Sequence, residues 1–301
     1  MELTPLQRTT LPCGPLAYRQ TGSGTPLILI HGWRGASSHW QGTLDGLADI
    51  RNVHAIDLPG HGETPAREAQ ITTEGLARLV VAYADQSGLD QFDLVGHSYG
   101  AAVAVAIAAQ WPGRVRRLVL SSMGTARNDL EQTALTQTHS FMNLTLPWWR
   151  PWFAMTRPWP GQWQPWVDWV GADPTMSRTI AGAALRQLPA DQEIVSEGVR
   201  EFLTTDPLCA MEVAIDAASP NFVAALARIT APVLLLSGDR DPIMPAAGVA
   251  ALAERLPDCR TVLFDDCGHM PMIEWPDHFH RELREFLSDD EVPSSHLGAV
   301  Q

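Results

Sequence analysis

The apolar and polar positions of the chain fall into two regimes. In the first regime, short apolar runs are bounded by Gly, Pro and Asp and separated by stretches of helical spacing. Residues 15–21 read as a strand, Gly22-Ser23-Gly24 as a turn, and residues 26–30 as a buried strand. Residues 37–49 predict a helix with Ser37 or Ser38 as its cap. Residues 53–57 form the next strand candidate, ending in Leu58-Pro59-Gly60-His61-Gly62. Thr72 or Thr73 caps a helix running to about residue 87. A strand at 92–95, a tight Gly-rich turn, an alanine-rich helix at 101–109 and a strand at 115–121 complete the first half. After Gly124 the pattern changes: residues 125–230 carry helical spacing and no strand. Strands return at 232–237 and 261–264, with helices at 246–256 and 276–287. The polar stretch 290–301 lacks periodicity and predicts a disordered tail. Strands alternating with helices predict an α/β domain, a mostly parallel, doubly wound sheet covered on both faces. Its residues are 1–124 and 231–289, interrupted by an all-helical insertion at 125–230.

Composition narrows this picture. A chain of 301 residues with 45% apolar positions can bury one large core. No apolar run approaches the ~18 residues of a membrane span. Met1 to Pro5 show no basic region followed by an apolar one, so no secretory signal is expected. A formal net charge of -13 argues against a nucleic-acid partner, since nothing would neutralise phosphates. Cys13, Cys209, Cys259 and Cys267 form no Cys-x-x-Cys pair and no zinc-like spacing with His. Reduced thiols, a cytoplasmic location and no metal are the expectation. Cys267, two residues before His269, reads as a small loop residue.

The candidate chemistry centres on Gly96-His97-Ser98-Tyr99-Gly100. A Ser at the apex of a strand-turn-helix stands exposed at the carboxyl edge of a sheet and at a helix N-terminus. An oxyanion can be stabilised there. Flanking glycines are needed because a Cβ would meet the neighbouring strand and helix. A lone hydroxyl is a poor nucleophile and needs a base, and the base needs an orienting group. Two other strand ends supply them. One reads Gly238-Asp239-Arg240-Asp241-Pro242, the other Asp265-Asp266-Cys267-Gly268-His269. The carboxylate is Asp241 or Asp239. Asp239, nearer the strand end, is the one suited to capping the turn. Ser121-Ser122-Met123-Gly124 after the sixth strand holds no carboxylate, which favours Asp241.

With these motifs in place, the chain resembles the α/β-hydrolase superfamily, with a cap domain inserted after the sixth strand. The resemblance covers residues 14–288. It is carried by His31-Gly32-Trp33, Asp57-Leu58-Pro59-Gly60-His61-Gly62, the Ser98 turn, Gly238-x-x-Asp241 and Gly268-His269. It implies Ser98 as nucleophile, His269 as general base and then acid, and Asp241 as the group orienting His269. It also implies backbone N–H groups of Trp33 and Tyr99 as the oxyanion hole. No cofactor is implied. A small-molecule substrate is the expected partner, and a homodimer stays open.

Other residues have two or more readings. His97 is expected to pack beneath the elbow, His31 to hold the oxyanion loop, and His61 to set loop geometry. Arg34 could meet a substrate carboxylate or simply sit in solvent. Seven tryptophans lie between residues 148 and 169, several spaced three or four apart. Trp148, Trp149, Trp152, Trp159 and Trp163, with Met142, are candidates to line an apolar pocket. The alternatives are rings that glue short helices to the main domain, or a face for a partner or membrane surface. The expected function is a serine hydrolase cleaving an ester, thioester or lactone of a small to medium, largely apolar substrate. The alternatives are a carbon–carbon bond hydrolase or a cofactor-independent dioxygenase acting on an aromatic or diketone substrate. The latter enzymes carry their acid after the sixth strand, unlike this chain. A non-catalytic ligand receptor comes last, because the set of Ser, Asp and His is complete.

Overall fold

The apolar runs become neighbouring strands of one sheet. The structure, a computed structural model, describes residues 3–155 and 163–288. The strands are β1 (Leu6–Leu11), β2 (Gly14–Gly22), β3 (Pro26–Ile30), β4 (Asn52–Ile56), β5 (Phe92–His97), β6 (Val115–Ser121), β7 (Val233–Gly238) and β8 (Cys259–Phe264). The helices are α1 (Gln41–Leu47), α2 (Thr73–Gln86), α3 (Tyr99–Gln110), α4 (Asp129–Met155), α5 (Gln164–Ala172), α6 (Pro174–Ala181), α7 (Gln192–Thr204), α8 (Pro207–Asp216), α9 (Asn221–Leu226), α10 (Ala246–Ala253), α11 (Pro271–Glu274) and α12 (Pro276–Ser288).

Strand order is β1-β2-β4-β3-β5-β6-β7-β8. β2 runs antiparallel to β1 and β4, and the remaining pairs are parallel. Period-2 alternation divides the apolar residues of the central strands between two cores. Ile28, Ile30, Leu94, Leu118, Leu120 and Leu235 face α2, α3, α9 and α10. Leu27, Leu29, Val95, Val119, Leu234 and Leu236 face α1 and α12. A strand buried on both faces is mostly apolar, as in residues 26–30, 118–120 and 233–236.

The topology selects where chemistry can sit. β3 lies between β4 and β5, so the chain leaves β3 toward one side and returns on the other. The loops after β3 and β5 part at this switch point and open a crevice at the carboxyl edge. The register Ile30 opposite Gly96, His97 opposite Ser121 and Gly238 opposite Phe264 brings the strand ends to one edge. Between β6 and β7 the regular elements among the described residues are all helices, α4 to α9.

Some local details differ from the sequence pattern. Residues 37–49 split into a 3-10 turn, Ser37–Trp40, followed by α1, and neither Ser caps by its side chain. A distant group takes the role: Asp57 Oδ1 accepts the Ser37 N–H at 2.6 Å. A buried carboxylate is a stronger acceptor than a local hydroxyl. The N-terminal hairpin partner β1 also escapes the sequence pattern, because an edge strand needs little burial. Thr72 does cap α2, accepting the Gly75 N–H at 3.1 Å.

Candidate active site

Ser98 sits between β5 and α3 with φ 52 and ψ -121, a conformation rarely adopted by non-glycine residues. Two close approaches set the turn. A Cβ on Gly96 would lie 2.3 Å from Gly100 O, and one on Gly100 would lie 2.4 Å from Ile30 O. Glycine at both positions lets strand and helix close around the Ser. The Ser98 N–H donates to Ser121 O at 2.8 Å, pinning the apex to β6. Tyr99 begins α3, where first-turn amides lack acceptors within the helix and carry partial positive charge. The loop after β3 presses against this point: a Cβ on Gly32 would fall 3.0 Å from Ser98 Cβ.

Asp241 and His269 meet. His269 Nδ1 donates to Asp241 Oδ2 at 2.7 Å, both side chains being buried. This bond leaves Nε2 as the proton-accepting nitrogen. Asp241 Oδ1 accepts from Ile243 N at 2.8 Å and Met244 N at 2.9 Å, which fixes the carboxylate. Asp239 does something else. Its Oδ1 accepts the Cys267 N–H at 3.3 Å and so braces the turn before His269. Cys267 is buried, and burial followed by the nearby Glu274 pushes its thiol up, which leaves it inert.

His97 lies beneath the turn as expected and adds a bond. Its Nε2 donates to His269 O at 2.8 Å, and the two rings lie 4.9 Å apart. Burial, then the neighbouring His269, holds His97 well below the usual imidazole range. This contact joins the residue next to Ser98 to the backbone of His269.

The His269 loop has a second anchor that the sequence pattern did not reveal. Glu274 Oε2 accepts from Gly268 N at 2.9 Å, Arg186 N at 2.7 Å and Gln187 N at 2.9 Å. Its Oε1 accepts from Met270 N at 3.1 Å. The His269 N–H itself donates to Ala184 O at 2.9 Å. One buried carboxylate thus ties both neighbours of His269 to residues between α6 and α7. The only sequence hint is a Glu five places after His269 in an otherwise apolar stretch, Met270-Pro271-Met272-Ile273.

The loop after β3 is fixed by His31. Its Nε2 accepts the Leu58 N–H at 2.9 Å, so Nδ1 is the protonated nitrogen and donates to Gly32 O at 2.8 Å. Burial, then His61, keeps His31 well below the usual imidazole range. His61 Nδ1 bonds Pro59 O at 3.0 Å within its own turn. Trp33 Nε1 donates to Ala210 O at 2.8 Å. Arg34 is half-buried rather than exposed. Its Nη1 donates to Phe202 O at 2.8 Å, and its guanidinium stacks over the rings of Trp33 and Phe202. Tyr99 Oη donates to Asp216 Oδ2 at 3.0 Å, where the Thr73 hydroxyl also bonds. α7 and α8 are therefore bonded directly to the loops around Ser98.

The tryptophans are placed otherwise. Trp148, Trp149, Trp152 and Trp163 are exposed, and Met142 is half-buried. Trp148 is 78% exposed, more than a ring lining an enclosed pocket or gluing a helix would be. The reason is the rotation of α4: Leu146 faces the protein and Trp148 faces away. Trp159 lies outside the described residues, as do residues 290–301.

These features agree with the comparisons. Residues 27–281 match the family model described as the alpha/beta hydrolase family, and the chain belongs to that family. Over 257 residues it is 32% identical to a pimeloyl-[acyl-carrier protein] methyl ester esterase of Aromatoleum aromaticum, covering 83% of this chain and 93% of that protein. The esterase of the same name from Nitrosomonas europaea is 29% identical over 270 residues, covering 86% and 94%. Among solved structures, a thermophilic esterase from Thermogutta terrifontis aligns with a TM-score of 0.69 at 23% identity, covering 94% of this chain and 98% of that one. At that identity the likeness speaks for the fold alone.

Proposed function

We propose that this protein hydrolyses a carboxylic ester, thioester or lactone through an acyl-enzyme formed on Ser98. The observation that carries the reading is the Asp241–His269 bond at 2.7 Å, with the His269 backbone tied to His97, the residue beside Ser98. Ser98 Oγ attacks the carbonyl carbon while its proton passes to His269 Nε2. Asp241 holds the Nδ1–H tautomer and stabilises the imidazolium. The N–H groups of Trp33 and Tyr99 receive the oxyanion. His269 then returns the proton to the departing alcohol or thiol. Water attacks the acyl-Ser98 ester, gives its proton to His269, and the acid leaves as Ser98 regains its hydrogen.

The helices from α4 to α9 act in this reading as a cap on residues 125–230. Bonds from Trp33, Arg34 and Tyr99 to Ala210, Phe202 and Asp216 support it. A capped crevice suits a small to medium, largely apolar substrate. The esterase relatives, named for a methyl ester, support the ester bond as the one cleaved. Cys13, Cys259 and Cys267, none of them in a disulfide, support a reducing, cytoplasmic location.

The test is a panel of p-nitrophenyl esters, thioesters, lactones and vinylogous diketones, with a fluorophosphonate probe. Wild type labels and hydrolyses esters, while Ser98→Ala does neither. Failure of the wild type to label, or turnover of diketones alone, overturns the reading.

A further inference from the structure

α4 is built inside out. Phe141, Leu144, Trp148, Trp152 and Met155 recur at helical spacing on one stripe, and each is at least 63% exposed. The opposite side carries one buried apolar residue, Leu146, among polar groups. Arg150 Nε donates to Glu212 Oε1 at 2.9 Å, and Gln70 donates to Asn143 Oδ1 at 3.3 Å. A helix packed on a core in water shows the reverse order, apolar in and polar out. Beyond it, α5 exposes Trp166 and Trp169, with Trp163 exposed just before it, while burying Val167 and Val170. Each helix thus leaves its largest apolar side chains on the outside while burying only smaller ones.

Charge identifies the occupant. The chain holds 34 Asp and Glu residues, yet none lies between Glu131 and Asp168, the stretch that contains the stripe. A face without carboxylates can enter a lipid headgroup region with no acid to desolvate. Tryptophan is the side chain suited to that depth, because its ring is apolar and its N–H keeps a polar partner. A second copy would bring its own charge of -13 against this one, and that repulsion disfavours self-association. A zwitterionic bilayer carries no such penalty. No helix among the described residues is long and apolar enough to cross a membrane, so contact would lie in the interface plane. We propose that the outer stripe of α4 docks on a zwitterionic lipid surface, driven by apolar burial.

The experiment is cosedimentation of the full chain with phosphatidylcholine vesicles, at low and high salt. The variant is Phe141→Ser with Leu144→Ser, two exposed positions on the stripe of α4. Wild type is expected in the vesicle pellet at both salt concentrations, and the variant's partition falls by about tenfold or more. Circular dichroism and the melting midpoint of the variant are expected to match wild type, since both side chains are exposed. Wild type remaining in the supernatant overturns the proposal, as does unchanged partition of a folded variant. Binding abolished by high salt overturns the apolar mechanism. A dimer by sedimentation velocity that the same variant dissociates assigns the stripe to a second copy instead.

Discussion

Replacing Glu274 by Ala removes the acceptor of four backbone amides at once. Three of them, Gly268, Arg186 and Gln187, point at Oε2, and the fourth, Met270, at Oε1. Each buried amide left without a partner costs roughly 1–3 kcal/mol, and water entering the vacated space recovers part of that. The net loss for Glu274→Ala is therefore about 3–5 kcal/mol, at the upper end for one substitution. Glu274→Gln is milder. Its amide oxygen can serve the three amides at the Oε2 position, but its NH2 then faces the Met270 N–H. One bond lost and one donor opposed cost about 1–2 kcal/mol. Urea denaturation of wild type and both variants measures the difference, with stability in the order wild type, Gln, Ala. Amide hydrogen exchange reports where the damage falls: residues 268 and 270 beside His269, and 186 and 187 opposite them. If all three proteins agree within about 0.5 kcal/mol and protection at those amides is unchanged, the carboxylate is not the clamp described here.

Acid should weaken the fold early. Burial holds His31 and His97 well below 6.5 and brings His54 and His61 down to about 4. Unfolded, each binds a proton near 6.5. From 6.5 down to about 4 the unfolded chain thus takes up protons that the folded one refuses. Stability falls with pH in that window by up to about 1.4 kcal/mol per pH unit per histidine, and the histidine contribution is flat above it. Burial raises Asp57 and Asp93 and gives them the opposite sign, acting in the carboxylate range. Urea midpoints measured across the window decide it, and a midpoint that rises on acidification contradicts the assignment. Gly100→Ala places a Cβ 2.4 Å from Ile30 O and 2.5 Å from His31 O, both backbone atoms. Overpacking of this kind costs about 3 kcal/mol or more. The melting midpoint should drop sharply, and an unchanged midpoint shows that the turn is looser than its contacts imply.

Much of this molecule was legible one residue at a time. Period-2 and unbroken apolar runs located the central strands, because a strand between two helical layers is mostly apolar on both faces. Helical spacing after Gly124 foretold α4 to α9. The Gly-x-Ser-x-Gly turn was readable because its steric demand is local: two glycines and one strained Ser within five positions. The same holds for Thr72, whose cap spans three residues.

Pairings across the chain were not legible. The sequence favoured Asp241 over Asp239 but left both in reach of the base. Only the fold aimed Asp241 at His269 and turned Asp239 to the Cys267 amide. Glu274, the His97 bond to His269 O and the Asp57 bond to Ser37 escaped because their partners lie on other elements, and no local spacing encodes a contact made by sheet topology. The tryptophans show the same limit from the other side. Their spacing foretold a helical face, but which way that face points depends on the rotation of α4. That rotation is fixed by Leu146 and by the Arg150–Glu212 pair, contacts that exist only once α8 is in place.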